Sequence, residues 1–237
     1  MVASQLINDV IKKPAAKAGH VQHLLLIRHG QTDANRLGIV QGHSQWELNP
    51  LGHRQAALVA ERLGVFKPKI DILVCSDLLR AQQTVMPIAA ALGGMSVHSD
   101  PAWRERCYGQ FEGLSPEARQ ERKTQLGLAD DGVPPGAQTV MEYQQQIRDA
   151  FLSVPKQFPE ARCIAIVTHG GACKSVLAML ADGRLPATHK VAADARYTPN
   201  CSVTHITLRH AERAFKLELL HCTEHLSSIE ATATDNG

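Results

Sequence analysis

Aromatic residues make up only 4% of this 237-residue chain, and the formal net charge at pH 7 is only +2. The basic residues never gather into a Lys/Arg tract, so the concentrated positive face of a nucleic-acid-binding protein is missing and nucleic acid is excluded as a partner. No apolar run approaches the roughly 18 residues that a membrane span needs, which excludes a spanning helix. The six cysteines (Cys75, Cys107, Cys163, Cys173, Cys201 and Cys222) contain no C-x-x-C pair. Several fall in apolar stretches where a free thiol behaves as a small hydrophobe, which predicts a reduced, cytoplasmic protein. The first residues, MVASQLINDVIKKPAAK, have neither the apolar centre nor the cleavage site of a secretory signal, and no arginine of the kind that organelle-targeting peptides carry. Residues 1–21 are therefore expected to be an arm docked on the body. No repeat of 20 to 50 residues is present.

What the chain does have is a pattern that occurs twice. Leu24-Leu25-Leu26-Ile27-Arg28-His29-Gly30 is echoed by Ile164-Ala165-Ile166-Val167-Thr168-His169-Gly170. Each is a buried-strand signature that ends in His-Gly, and two such strands side by side bring two imidazoles into one pocket. Around them, apolar runs of strand length alternate with helical patterns: Leu24 to Ile27 then Gln55 to Leu63, Ile72 to Cys75 then Leu78 to Leu92, Cys163 to Val167 then Ala172 to Leu180. Strand, loop and helix in that order read as βα units. The expected fold is α/β, a three-layer sandwich with a mostly parallel central sheet and helices on both faces. Residues 100–160 turn polar and helical, with a Gly/Pro break at 132–136 and a helix from about Thr139 to Val154, and are expected to form a short helical cap over the sheet's carboxyl edge. Two β-rich runs, Ser202 to Leu208 and Phe215 to His221, close a single domain over residues 22–226, and residues 227–237 are expected to be a frayed tail.

Ligands of open α/β sheets bind outside the carboxyl ends of the strands. Both His-Gly pairs fall there, and so does Ser76-Asp77-Leu78-Leu79-Arg80-Ala81, which places Arg80 in the first turn of a helix. A cation is disfavoured at that positive dipole end unless it shares an anion with it. Arg28 and Arg80 supply guanidinium forks that fit phosphoryl oxygens, and no carboxylate cluster suggests a metal in their place. The bound group is then a phosphate. A neutral imidazole attacks phosphorus well if its other nitrogen is fixed by a hydrogen bond, for instance to a backbone carbonyl, while the second histidine helps to hold the oxygens. The His221/His225 and His20/His23 spacings are read as non-metal, and Asp77 is expected to be the N-cap of the following helix rather than a catalytic acid.

The ordered set of motifs resembles the histidine phosphatase, or phosphoglycerate mutase-like, superfamily: Arg28-His29-Gly30-Gln31-Thr32 with Asn35, Gln41-Gly42, Leu51-Gly52-His53-Arg54-Gln55-Ala56, Ser76 to Ala81, Arg104-Glu105-Arg106, Thr168-His169-Gly170 and Asn200-Cys201-Ser202. The resemblance implies that His29 becomes phosphohistidine, that Arg28, Arg80 and His169 form the phosphate pocket, and that Glu105 is the proton donor and later the base for water. It also implies that Asn35 and Gln41 line the pocket, with the Gly170 backbone close by. Glu105 is singled out by the resemblance alone. The expected activity is a phosphomonoesterase acting on a small phosphorylated metabolite, with no metal and no cofactor. Mutase-type phosphoryl transfer and a catalytically silent phosphate-binding scaffold are the alternatives, and a homodimer stays open. Glu105 and His169 are only 64 positions apart, a short interval that favours the phosphatase branch, although Glu105-Arg106-Cys107-Tyr108-Gly109 is similar to the mutases. Two departures, Ala34 and Gln138, stand where the family often carries Trp and a charged residue, and both are expected to shape the substrate side of the pocket.

Overall fold

A computed structural model describes residues 20–188 and 197–229. Most of the expected arm and the tail beyond Ile229 lie outside the described residues. The strands are β1 (Val21–Arg28), β2 (Ile72–Cys75), β3 (Val97–Ser99), β4 (Cys163–Thr168), β5 (Val203–Arg209) and β6 (Ala214–Cys222). They form one sheet in the order β3-β2-β4-β1-β5-β6. The first four positions in that order are parallel, and β5 runs against both of its neighbours. The sheet is open and mixed, with helices on both sides as expected for an α/β sandwich.

Alternation along the strands builds two cores. Leu24 and Leu26 of β1 face one side with Val74, Ile164 and Ile166, while Leu25 and Ile27 face the other with Leu73, Cys75, Ala165 and Val167. On the second side lie α2 (Pro50–Gly64) and α3 (Leu79–Ala91), which follow the one-turn α1 (Asp33–Arg36). Asn49 caps α2 by accepting from the Gly52 N–H at 2.9 Å, Pro50 occupies the first turn, and Ala56, Val59, Ala60 and Leu63 give it one continuous apolar stripe.

The polar α4 (Pro116–Gln125) buries no residue, as expected of a cap. The longer α5 (Val140–Gln157) behaves differently. A Thr139/Glu142 capping box starts it, and Tyr143, Ile147, Ala150, Phe151 and Val154 lie buried against the first face of the sheet, beside α6 (Gly170–Ala181). Apolar spacing at i, i+4, i+7 and i+8 makes this helix a layer of the sandwich, so the cap proper is shorter than residues 100–160. Strand β3 has no apolar run, so no sequence pattern marks it. Ser227 to Ile229 continue the fold instead of fraying: Ile229 packs against the second core and its N–H donates to the Leu226 carbonyl at 3.0 Å.

Candidate active site

Parallel pairing of β1 with β4 sets Arg28 opposite Thr168, so the residue after each strand end is a histidine at the same edge. The rings of His29 and His169 lie 5.2 Å apart at a tilt of 58°. His29 is 3% exposed and its Nδ1 lies 2.7 Å from the Gly30 carbonyl. A carbonyl only accepts, so Nδ1 carries the hydrogen and Nε2 keeps its lone pair. The backbone beside it is pinned as well: the Asn200 amide donates to the His29 carbonyl at 2.9 Å, and the Gly30 N–H donates to the Thr84 hydroxyl at 2.9 Å. Gly30 has to be glycine because a Cβ there would sit 2.6 Å from the Gly52 carbonyl oxygen of α2.

His169 is fully buried, with Nε2 at 2.8 Å from the Ser76 hydroxyl and Nδ1 unpartnered among the described residues. Burial, followed by the Arg80 guanidinium, pushes both imidazoles well below the ordinary histidine range, so both are neutral near pH 7.

Arg80 lies in the first turn of α3, 1% exposed, and donates to the carbonyls of Gly42 at 2.8 Å and Ser44 at 3.0 Å. Burial lowers its pKa to about 10, opposed by Glu105 and aided by Arg28; it is a cation at neutral pH. Arg28 is also buried, at 6% exposed, and donates to the Thr198 carbonyl. With two carbonyl partners, Arg80 keeps its Nε unbonded.

Glu105 reaches the pocket from the cap. Its carboxylate accepts from the Arg106 N–H at 2.8 Å and from the Gly171 N–H at 3.0 Å, and His43 donates to its backbone carbonyl at 2.9 Å. Gly171, which no sequence pattern marks, makes room for it: a Cβ at that position would lie 2.1 Å from Glu105 Oε1. The Tyr143 hydroxyl is buried beside this carboxylate, and burial and Glu105 together hold the phenol well above its usual range. Ser76, Thr84, Asn200 and Tyr143 also take part in the site; Ser76 and Asn200 belong to motifs of the resemblance that assign them no role, and Thr84 and Tyr143 carry no local signal in the sequence.

Asp77 is not the cap of α3. That helix begins after Leu78 without a side-chain cap, and Gln45 supplies the oxygen to the Leu79 N–H at 2.9 Å. Asp77 forms a two-pronged ion pair with Arg104, at 2.7 Å for the Nε contact, because its side chain points across to the Glu105 segment. Asn35 combines two duties: its amide oxygen accepts from the Thr32 N–H at 3.1 Å in the capping box of α1, and the residue also lines the pocket. Gln41 lines the same wall with its Oε1 unbonded, and Gly170 lies against Arg28. Ala34 and Gln138 are not part of that wall. Ala34 is fully buried in α1, and Gln138 is tied to the Cys107 N–H at 2.9 Å and to Gln146 at 2.8 Å, so neither shapes the substrate side. His225 bonds the Cys201 carbonyl and His221 the Thr204 hydroxyl; no group of three or more metal-ligating residues gathers among the described residues.

The resulting cavity has a volume of about 540 Å³. It opens between the strand ends and the cap, and holds His29, Arg28, Arg80, Glu105, Asn35 and Gln41 on one continuous wall. A nucleophile-grade imidazole beside two buried guanidinium groups, at the carboxyl edge of a mostly parallel sheet, defines the class: an α/β enzyme of phosphate esters. The chain belongs to the histidine phosphatase superfamily (branch 1), whose sequence profile matches residues 24–221. It is 28% identical over 215 residues to a metal-independent phosphoserine phosphatase of Arabidopsis thaliana, covering 88% of this chain and 85% of that protein. It is 33% identical over 159 residues to phosphoglycerate mutase-like protein 4 of the same plant, covering 65% and 68%. A phosphoserine phosphatase from Entamoeba histolytica, solved with 3-phosphoglyceric acid, superposes with a TM-score of 0.68 at 27% identity, covering 86% of this chain and 99% of that one.

Proposed function

We propose that this protein is a phosphomonoesterase that hydrolyses a small phosphorylated metabolite through a phosphohistidine on His29. The observation that carries the reading is the Gly30 carbonyl on His29 Nδ1, which leaves Nε2 as the attacking atom in a site with Arg28 and Arg80. In the first step Nε2 bonds to phosphorus and the ester P–O bond breaks. Glu105 gives its proton to the departing oxygen, so that an alcohol leaves. Arg28, Arg80 and the free Nδ1 of His169 hold the phosphoryl oxygens, and Asn35, Gln41 and the Gly170 N–H complete the cradle at the positive end of α6. In the second step Glu105 takes a proton from water, which attacks phosphorus; the N–P bond breaks, and inorganic phosphate and neutral His29 are regenerated.

Splitting the hydrolysis in two suits its size. Phosphate-monoester hydrolysis is accelerated by up to about 10²¹-fold in enzymes, more than any one of positioning, charge stabilisation or acid catalysis supplies. Mutase chemistry is the second reading, favoured by the mutase-like relative. It requires water to be kept from phosphohistidine, and the cap here is shorter than its sequence span because α5 is committed to the core. The buried free thiols fit a reducing, cytoplasmic setting. Brief incubation with labelled substrate is expected to leave phosphate on His29 in an acid-labile, alkali-stable linkage, and His29→Ala to lose label and turnover together. Label that persists in that variant, or that sits on serine, overturns the mechanism.

A further inference from the structure

Two cations in the cavity have no task in the chemistry above. Lys174 sits on α6 one turn beyond the glycine pair, partly buried, and Arg119 reaches in from the cap helix α4. Among the described residues neither makes an ion pair or a side-chain hydrogen bond. The other cations have occupations. Arg28 and Arg80 face the phosphate, and Arg106 lies over the Tyr108 ring at 4.3 Å. Lys174 is the more informative of the pair because it belongs to two cavities at once. A second cavity of about 330 Å³ adjoins the first and shares Lys174, Glu105, Tyr108 and Gly171 with it; Gln144 and Ser175 add polar groups. Glu105 is the group that meets the leaving oxygen, so the shared wall is where a leaving group emerges from the phosphate site.

Charge supports the same placement. A phosphomonoester dianion answers Arg28 and Arg80. Glu105 is the only carboxylate on the wall among the described residues, and it is already occupied by two N–H donors. Burial and the nearby Arg28 lower the Lys174 pKa, with Glu105 opposing. An ammonium group held in a partly dry position without a counter-ion gains most from an anion that arrives with the substrate.

We propose that Lys174, assisted by Arg119, is an anion anchor for the leaving group, so that the substrate is a small phosphomonoester that also carries a carboxylate. The proposal rests on the phosphomonoesterase reading and adds the class of substrate to it. The experiment compares kcat/KM for 3-phosphoglycerate and glycerol 3-phosphate, which share a phosphorylated primary alcohol and differ in whether a carboxylate is present. The wild type is expected to favour 3-phosphoglycerate by at least about 10-fold. Lys174→Gln is expected to cut that ratio by about 10–100-fold, mainly through KM, and Lys174→Arg to restore most of it. Because the ratio is taken within each variant, a general loss of activity cancels; if Lys174→Gln does not fold, Arg119→Gln on the cap carries the same test with a smaller fall. A wild-type ratio near one, or a ratio that Lys174→Gln leaves unchanged, overturns the anchor while p-nitrophenyl phosphate turnover still reports a working phosphatase. Failure to turn over p-nitrophenyl phosphate overturns the phosphomonoesterase reading itself.

Discussion

At the scale of single residues, Glu105 is the group whose role is most exposed to a decisive test. A sugar or glycerate alkoxide is a very poor leaving group and has to be protonated as the P–O bond breaks, whereas p-nitrophenolate departs nearly unaided. Glu105→Gln keeps the shape and the acceptor oxygen and removes the transferable proton. The deficit is expected to be about 10²–10⁴-fold for an alkyl phosphate and clearly smaller for phosphorylation of His29 by p-nitrophenyl phosphate. The same variant cannot activate water, so the aryl substrate should give a burst of nitrophenol followed by slow turnover. Equal deficits for both leaving groups in single-turnover measurements, without a burst, would assign the proton to another residue.

At the scale of elements, the start of α6 does two things with one dipeptide. Gly170 packs beside Arg28 at ordinary contact distance and Gly171 admits Glu105, so a helix N-terminus, a guanidinium and a carboxylate meet where a side chain at position 171 would intrude. Gly171→Ala separates fold from function here. Alanine is the better helix former by up to about 1 kcal/mol, and the atom it displaces is the far end of a flexible side chain. Thermal unfolding should therefore stay level or rise slightly, while turnover of an alkyl phosphate falls by at least about 10-fold because Glu105 loses its seat and its Gly171 N–H partner. A variant that unfolds early with normal specific activity would contradict this account. The Asp77–Arg104 pair that secures the same segment is partly exposed, so its contribution to stability is small, and its effect lies in holding Glu105.

At the scale of the whole molecule, burial of neutral imidazoles links the fold to pH. In the folded chain His29 and His169 are held well below the ordinary range, and burial lowers His205 to about 4, with His23 adding to the shift. Once unfolded, each titrates near 6.5. Above that pH neither state binds the proton and these groups contribute nothing to the pH dependence; below it only the unfolded state binds, and stability falls by at most about 1.4 kcal/mol per pH unit for each group. The urea midpoint is expected to drop between pH 6.5 and 4.5, and His205→Gln to make that drop shallower while preserving the contact with His23, whose Nδ1 lies 2.9 Å from His205 Nε2. A midpoint that stays level from pH 7 to 5 would show that these rings are charged in the folded protein.

Local pattern was enough to place the strands that end in His29 and His169, the helix that carries Arg80 and the sandwich of helices around the sheet. Strand alternation, helical periodicity and glycine after a strand are short-range properties, written within a few residues of the groups they position. The resemblance of ordered motifs added Glu105. Tertiary packing alone decided the rest. The pairing of β1 with β4 across about 140 residues put the two imidazoles 5.2 Å apart. The apolar stripe of α5 drew a helix expected in the cap down onto the sheet. Asp77 found Arg104 instead of its own helix, and Lys174 and Arg119 came to face one cavity. Each of these depends on which distant surfaces meet, and no window of sequence holds both partners of a long-range contact.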